Sequence, residues 1–287
     1  MHYQALIENR KSVRAFREKD VPEGDINDIR RFYDRTCHRL LEDLPTELII
    51  LGPGDRAALE GSAGYEDFLI GAPHYLVLLS AEHPHMAENA GYMMEDLILK
   101  LEDLNLNSCW LTFADGEKVK KALGLKSPLM VAAVAAFGFG EKRSKKLHFN
   151  ILSMSNVDIS SRDAYYAPKK NIGSLLSLEE LGDAANLHDF FGSYDDVLWQ
   201  SFYAVTQCPS YLNRQPYNFL LKDRDLYLIR MPDDYTDAYN EGLNLGIAML
   251  HFIVVAQQWM GKLQWNLNPE AELSLPEGCA VSAVCRR

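Results

Sequence analysis

The 287-residue chain carries no Gly-x-Gly-x-x-Gly run after a strand, so it offers no dedicated dinucleotide-binding domain. It has no Cys-x-x-Cys pair. Cys37, Cys109, Cys208, Cys279 and Cys285 are odd in number and scattered, which argues against a disulfide framework and reads as reduced, mostly buried thiols. Neither a nucleophile triad nor a pair of acid-base carboxylates can be picked out. Positive charge is scarce: 29 Lys and Arg against 40 Asp and Glu leave a net charge of -11, unsuited to nucleic acid or to an anionic membrane. Any basic cluster therefore needs a local reason. Met1 to Glu8 lacks the apolar stretch of a signal peptide, and no run reads as the roughly 18 uncharged apolar residues of a membrane span. A cytoplasmic location is expected.

What is present is a globular composition, 47% hydrophobic and 10% aromatic, and an internal repeat. Asn89-Ala90-Gly91-Tyr92-Met93-Met94 matches Asn244-Leu245-Gly246-Ile247-Ala248-Met249 at an offset of 155, which also carries Trp110 onto Trp265. Phe32, Tyr33 and Thr36 match Phe202, Tyr203 and Thr206 at 170, and Pro45 and Leu48 match Pro216 and Phe219 at 171. Matches in the same order, with insertions between them, predict two related halves at 1–150 and 191–287, joined by a crossing connector at 151–190.

The periodicity predicts helices over Tyr3 to Arg10, from Asp25 as a cap through Tyr33, and over Ala87 to Leu104, with strands at Glu47 to Leu51, His74 to Leu79 and Met130 to Phe139. The connector changes character, with the basic run Lys142 to Lys146, Tyr165 and Tyr166, and a capped helix expected near Ser177-Leu178-Glu179-Glu180. The second half repeats the plan: helix Tyr194 to Thr206, strands Asn218 to Lys222 and Leu226 to Arg230, helix Asn244 to Trp259, and a strand near Cys279 to Cys285. Neither half has many strands, which suits an intertwined pseudo-dimer.

Two short segments carry chemistry. Arg10, Lys11, Ser12 and Arg14 fall within five residues; guanidinium forks, an ammonium and a hydroxyl suit a dianionic phosphate, and an extended backbone turns Arg10, Ser12 and Arg14 to one side. Taken alone, such a run more often marks a solvated basic turn. About 200 residues later, Cys208-Pro209-Ser210-Tyr211-Leu212-Asn213-Arg214-Gln215-Pro216-Tyr217 joins a helix to a buried strand and offers the amides of Asn213 and Gln215.

Together these segments resemble the signature of the FMN-dependent nitroreductase family, whose members are usually homodimers that assemble each flavin pocket from both subunits. The resemblance implies an α+β nitroreductase-like fold in two tandem halves, with central antiparallel or mixed sheets surrounded by helices, forming an intramolecular pseudo-dimer. It gives Arg10 and Ser12 to the FMN phosphate, Arg14 to the pyrimidine edge of the flavin, and the Pro209, Ser210, Asn213 and Gln215 turn to the ribityl chain from the opposite half. Asn105-Leu106-Asn107-Ser108-Cys109-Trp110 is similar to the family's Gly-Leu-Gly-Thr-Cys-Trp stretch near the flavin ring, which implicates Asn107 and Ser108, although both glycines are replaced. Arg143 and Lys145 look like late basic residues that return to the phosphate, or else a solvated linker run, and Tyr65 is a candidate to line the ring.

In the first half the place of the Pro-Ser turn is taken by Cys37 to Pro45, with acids at Glu42 and Asp43 that would repel a phosphate. Half two has no Arg-x-Ser-x-Arg-x-Phe before its first helix. One FMN per chain is therefore expected. The resemblance further implies ping-pong chemistry, with NAD(P)H as transient reductant and a nitroaromatic, quinone or similar small molecule as acceptor, in a monomer that acts as its own pseudo-dimer. Flavin storage or sensing, and a different reaction on the same fold, are the competing readings. His83, His85 and Glu88 lack a fourth ligand, so no metal site is expected.

Overall fold

The structure, a computed structural model, describes residues 1–66, 68–141, 146–153, 156–162, 167–182, 196–270 and 273–286. Arg143, Lys145, Tyr165 and Tyr166 lie outside the described residues.

The first half opens with helices α1 (Tyr3–Asn9) and α2 (Glu23–Arg35). Its sheet is formed by β1 (Thr46–Leu51), β2 (His74–Ser80), β3 (Asn107–Leu111) and β4 (Met130–Gly138) in the order β1-β2-β4-β3, antiparallel throughout. Along β2, Leu76 and Leu78 face one apolar cluster while Tyr75, Val77 and Leu79 face another, so the sheet is buried on both sides. α3 (Arg56–Leu59), α4 (Met86–Asp103) and α5 (Gly116–Ala122) lie between the strands in sequence. β5 (Lys146–Ser153) and β6 (Asn156–Arg162) pair as a separate hairpin.

The connector supplies β7 (Leu176–Leu178) to the sheet of the second half, which contains α6 (Asp196–Thr206), β8 (Tyr217–Lys222), β9 (Asp225–Arg230), α7 (Ala238–Met260), β10 (Gln264–Asn266) and β11 (Ala280–Arg286). Their order is β10-β11-β9-β8-β7. Read from β8, the run β8-β9-β11-β10 reproduces β1-β2-β4-β3, and β7 is added in parallel to the β8 edge. The chain is thus an α+β protein with two sheets of the same topology.

The halves meet at α4 and α7, where glycine lets two backbones touch. A Cβ at Gly91 would lie 2.2 Å from the Leu243 carbonyl oxygen, and one at Gly246 only 2.0 Å from that of Glu88. Glu88 and Leu243 are themselves 155 residues apart, so the contact is reciprocal about a pseudo-two-fold. The same symmetry holds the loops: Asn89 Oδ1 accepts from the amides of Leu40 and Leu41, and Asn244 Oδ1 from that of Tyr211.

Four sequence expectations change. α2 starts two residues before Asp25, after Pro22, and Asp25 contributes its charge to the first turn without a side-chain cap. Ser177 and Leu178 form the end of a strand, because β8 offers them a ladder and Leu176 a buried place. α7 begins at Ala238, capped by Asp237, whose carboxylate accepts from the Asn240 amide at 2.9 Å. It is also long and apolar enough to cross a membrane, with a mean hydropathy of 1.3, contrary to the sequence reading. Of that window 78% is buried inside the protein, as befits a helix that is apolar all round at the centre of a core.

Candidate functional site

α1 leaves the first half and packs into the core of the second, with Ile7 among Leu245, Tyr217 and Phe202. It ends at Arg10, whose amide donates to the Leu6 carbonyl at 2.9 Å. The chain then runs extended along β3: Ser12 bridges Ser108 in parallel, and the Val13 amide donates to the Ser108 carbonyl at 2.9 Å. Val13 and Phe16 turn into the core, which leaves Arg10, Lys11, Ser12 and Arg14 on the wall of a cleft.

The opposite wall follows α6. After buried Cys208, Pro209 and Ser210 enter a turn in which Leu212, Asn213 and Gln215 all take positive φ, at 48°, 56° and 47°. Three such residues in one turn are costly and need surrounding bonds to hold them. Those bonds are present. Ser210 Oγ accepts from the Gln215 amide, Asn244 Oδ1 accepts from the Tyr211 amide, and Gln215 Nε2 donates to the Thr206 carbonyl, each within 3.0 Å.

Between the walls lies a cleft of about 1380 Å³. It brings together Arg10, Lys11, Ser12, Arg14, Tyr65, Pro209, Ser210 and Asn213. Among the described residues its charged lining is Arg10, Lys11, Arg14, Arg56, Lys169 and Lys170 against the carboxylate of Glu8, in a protein of net charge -11. Lys169 Nζ donates to the Cys208 carbonyl and to Asn213 Oδ1, both at 2.8 Å. Burial, with Arg10 nearby, pushes this ammonium down to about 8. The Arg10 side chain is only 6% exposed, and its Nε lies 3.4 Å from Glu95 without a hydrogen-bond partner. The carboxylate balances the buried guanidinium from behind without a well-formed hydrogen bond at Nε. At the mouth, Tyr65 (53% exposed), Phe68, Trp199, Tyr203 and Leu212 are open to solvent.

A family model described as "Putative TM nitroreductase" matches residues 3–177, well over half of the chain. The chain belongs to the nitroreductase family. Among solved structures, it is similar over 99% of its length, and over 93% of the other chain, to a putative nitroreductase from Thermotoga maritima, with 18% identity and a TM-score of 0.59. At that identity the likeness is one of fold. A nitroreductase family protein from Clostridium novyi NT matches 49% of this chain and 86% of its own, at 20% identity and a TM-score of 0.42. An FMN-dependent nitroreductase from Clostridium difficile R20291 matches 48% of this chain and 88% of its own, at 18% identity and a TM-score of 0.41. No curated protein matches the sequence.

Three expected site residues stand behind the cleft instead of lining it. Asn107 Oδ1 accepts from the Gly140 amide at 3.0 Å and ties β3 to the segment after β4. Ser108 is buried beneath Val13, and the strand meets the cleft one residue later, at Cys109, Trp110 and Leu111. Gln215 is fully buried and holds the turn, also accepting from the Lys170 amide at 3.0 Å. Asn213 lines the cleft with its amide already engaged, its Oδ1 by Lys169 and its Nδ2 by the Pro168 carbonyl. Of the two replaced glycines, the first matters for backbone shape: Asn105 takes φ 58°, a left-handed value that asparagine tolerates.

Lys169 and Lys170 escaped the sequence reading. Their signal was a Lys pair after Pro168 in the connector, but nothing in the spacing places it against a turn some 40 residues later. Cys109, although in the cleft, is a buried thiol whose acidity burial weakens, which does not suit a nucleophile. His85 is occupied by Glu88 and Asn268, and among the described residues no group of His, Cys, Asp or Glu is placed to hold a metal.

Proposed function

We propose that this nitroreductase holds one FMN per chain in the cleft and uses NAD(P)H to reduce flat, electron-poor acceptors such as nitroaromatics and quinones. The observation that carries the reading is the gathering of Arg10, Lys11, Arg14 and Lys169 along one cleft of an otherwise acidic protein, with the buried Arg10 backed by Glu95. A dianionic phosphate complements such a cluster.

Arg10, Lys11, Ser12 and Lys169 would hold that phosphate. Asn213 acts through Lys169, fixing the ammonium; Pro209 and Ser210 supply the wall along the ribityl chain. Arg14, further along the extended segment, would bind the pyrimidine edge and favour negative charge there. The 1380 Å³ of the cleft exceed the roughly 300–1,000 Å³ of a usual small-molecule site, so a second flat ring fits under the aromatic mouth. Tyr65, Phe68 and Trp199 would orient that ring and shed water from it. FMN, when bound, would supply two-electron redox chemistry between NAD(P)H and the acceptor. The chain itself then needs no nucleophile.

The test is flavin content followed by reduction. We expect about one FMN released per chain, bleaching of its absorbance by NAD(P)H without oxygen, and recovery on adding a quinone or nitroaromatic. Flavin that binds and fails to bleach means a storage or sensor protein; two FMN per chain, or none after reconstitution, overturns the proposal.

A further inference from the structure

Glu95 is fully buried on α4 and gathers three partners from three parts of the chain. Trp110 Nε1, from β3, donates to its Oε2 at 2.7 Å. His251 Nε2, from α7 of the other half, lies 3.0 Å from its Oε1. Arg10 Nε lies 3.4 Å from the same Oε1. His251 is anchored in turn, because its Nδ1 can only donate to the Ala204 carbonyl 2.9 Å away. The arrangement grips the Nε end of Arg10 from behind. One carboxylate between a guanidinium and an imidazolium leaves one positive charge over among the three.

The pseudo-two-fold does not repeat it. At the offset of 155 that relates the two core helices, Glu95 is matched by Leu250 and His251 by Asp96. Asp96 is turned to another task, accepting from Tyr3 Oη at 2.9 Å and from the His38 amide at 2.8 Å. Among the described residues, the Glu-His pair stands only behind the wall that carries Arg10.

We propose that Glu95 and His251 are positioning residues that fix the Arg10 guanidinium toward the cleft and thereby set a preference for flavin that carries a phosphate, FMN, over riboflavin, which lacks it. The proposal rests on the flavin reading above. An arginine side chain loses much rotamer freedom on being held, so a grip built into the free protein removes that cost from binding. Outer partners of this kind commonly change affinity by about 10–100-fold in other sites.

The experiment is titration of flavin-free protein with FMN and, separately, with riboflavin. It compares wild type with Glu95→Gln, which keeps the shape and removes the charge, and uses Arg10→Ala as the fully relaxed reference. We expect Glu95→Gln to weaken FMN about tenfold or more while riboflavin changes by less than about twofold. His251→Gln, which keeps a donor toward Glu95 and loses the ring charge, should shift the ratio in the same direction, and serves should Glu95→Gln not fold. Equal losses for both flavins mean a merely structural role and overturn the proposal, as does an unchanged FMN to riboflavin ratio. Wild type that binds neither flavin overturns the flavin reading itself, whereas wild type that binds FMN well with a ratio insensitive to Glu95 overturns only this inference.

Discussion

Gly246 lies against the carbonyl oxygen of Glu88 so closely that a single added methyl group would sit 2.0 Å from it. The obstacle is backbone on a buried helix, which cannot step aside as a side chain end can. Gly246→Ala should therefore lower stability by about 1–3 kcal/mol or more, against the usual helix preference for alanine over glycine. Gly24→Ala is the contrast, since nothing lies within 4 Å of its Cβ and the residue sits in an exposed first helical turn. That change should be neutral or raise stability by up to about 1 kcal/mol. Thermal melts of the two variants beside wild type decide it, at roughly 2–4 °C for each kcal/mol in a protein of this size class.

Lys169 gives flavin binding a pH limit. Its ammonium is pushed down to about 8, first by burial and then by Arg10, so in the empty cleft it loses its proton as pH rises through that value. A neutral amine attracts a phosphate far less than an ammonium. FMN affinity should hold below pH 8 and fall above it, and Lys169→Met should be weak and nearly flat over the same range. Titrations at pH 7 and pH 9 check this; an affinity unchanged between them would remove Lys169 from the phosphate set.

The buried pair Glu95 and His251 predicts the shape of the stability curve. Burial alone would lower His251, but the Cys208 sulfur and the Glu95 carboxylate outweigh it and raise the imidazole to about 10. A raised histidine contributes fully below its unfolded value near ~6.5 and loses that contribution as pH climbs toward about 10. For Glu95, burial works upward, and His251, Arg10 and Trp110 more than reverse it, so the carboxyl ends below its usual range. Its contribution is present above about 4.5 and is lost as pH falls. Melting temperature should decline from mildly acidic toward alkaline pH, and His251→Gln should flatten that alkaline decline.

Much of this architecture was legible because duplication writes the same pattern twice. Asn89 and Gly91 found their counterparts in Asn244 and Gly246 by offset alone, and in the fold these residues do matching work: the asparagines hold loop amides and the glycines let backbones touch. The long helices and central strands followed from periodicity. What escaped were features decided by distant partners. Ser177 and Leu178 look like the start of a helix until β8 offers them a parallel ladder. Gln215 and Asn107 look like ligand amides until backbone is found to take both ends of the Gln215 amide and the Asn107 oxygen. Glu95 and His251 read as polar residues on apolar helices, and only the crossing of α4 and α7 reveals that they face one another.

The replacement of Glu95 by Leu250 and of His251 by Asp96 across the pseudo-two-fold also says something about freedom. In an assembly of identical subunits every substitution appears at both symmetric places, so a residue that improves one pocket must be tolerated at the other. Joining the two halves in one chain lifts that restriction. One place can keep a buried acid and base behind an open cleft, while its twin settles into a closed contact among Tyr3, His38 and Asp96, each free to change without the consent of the other.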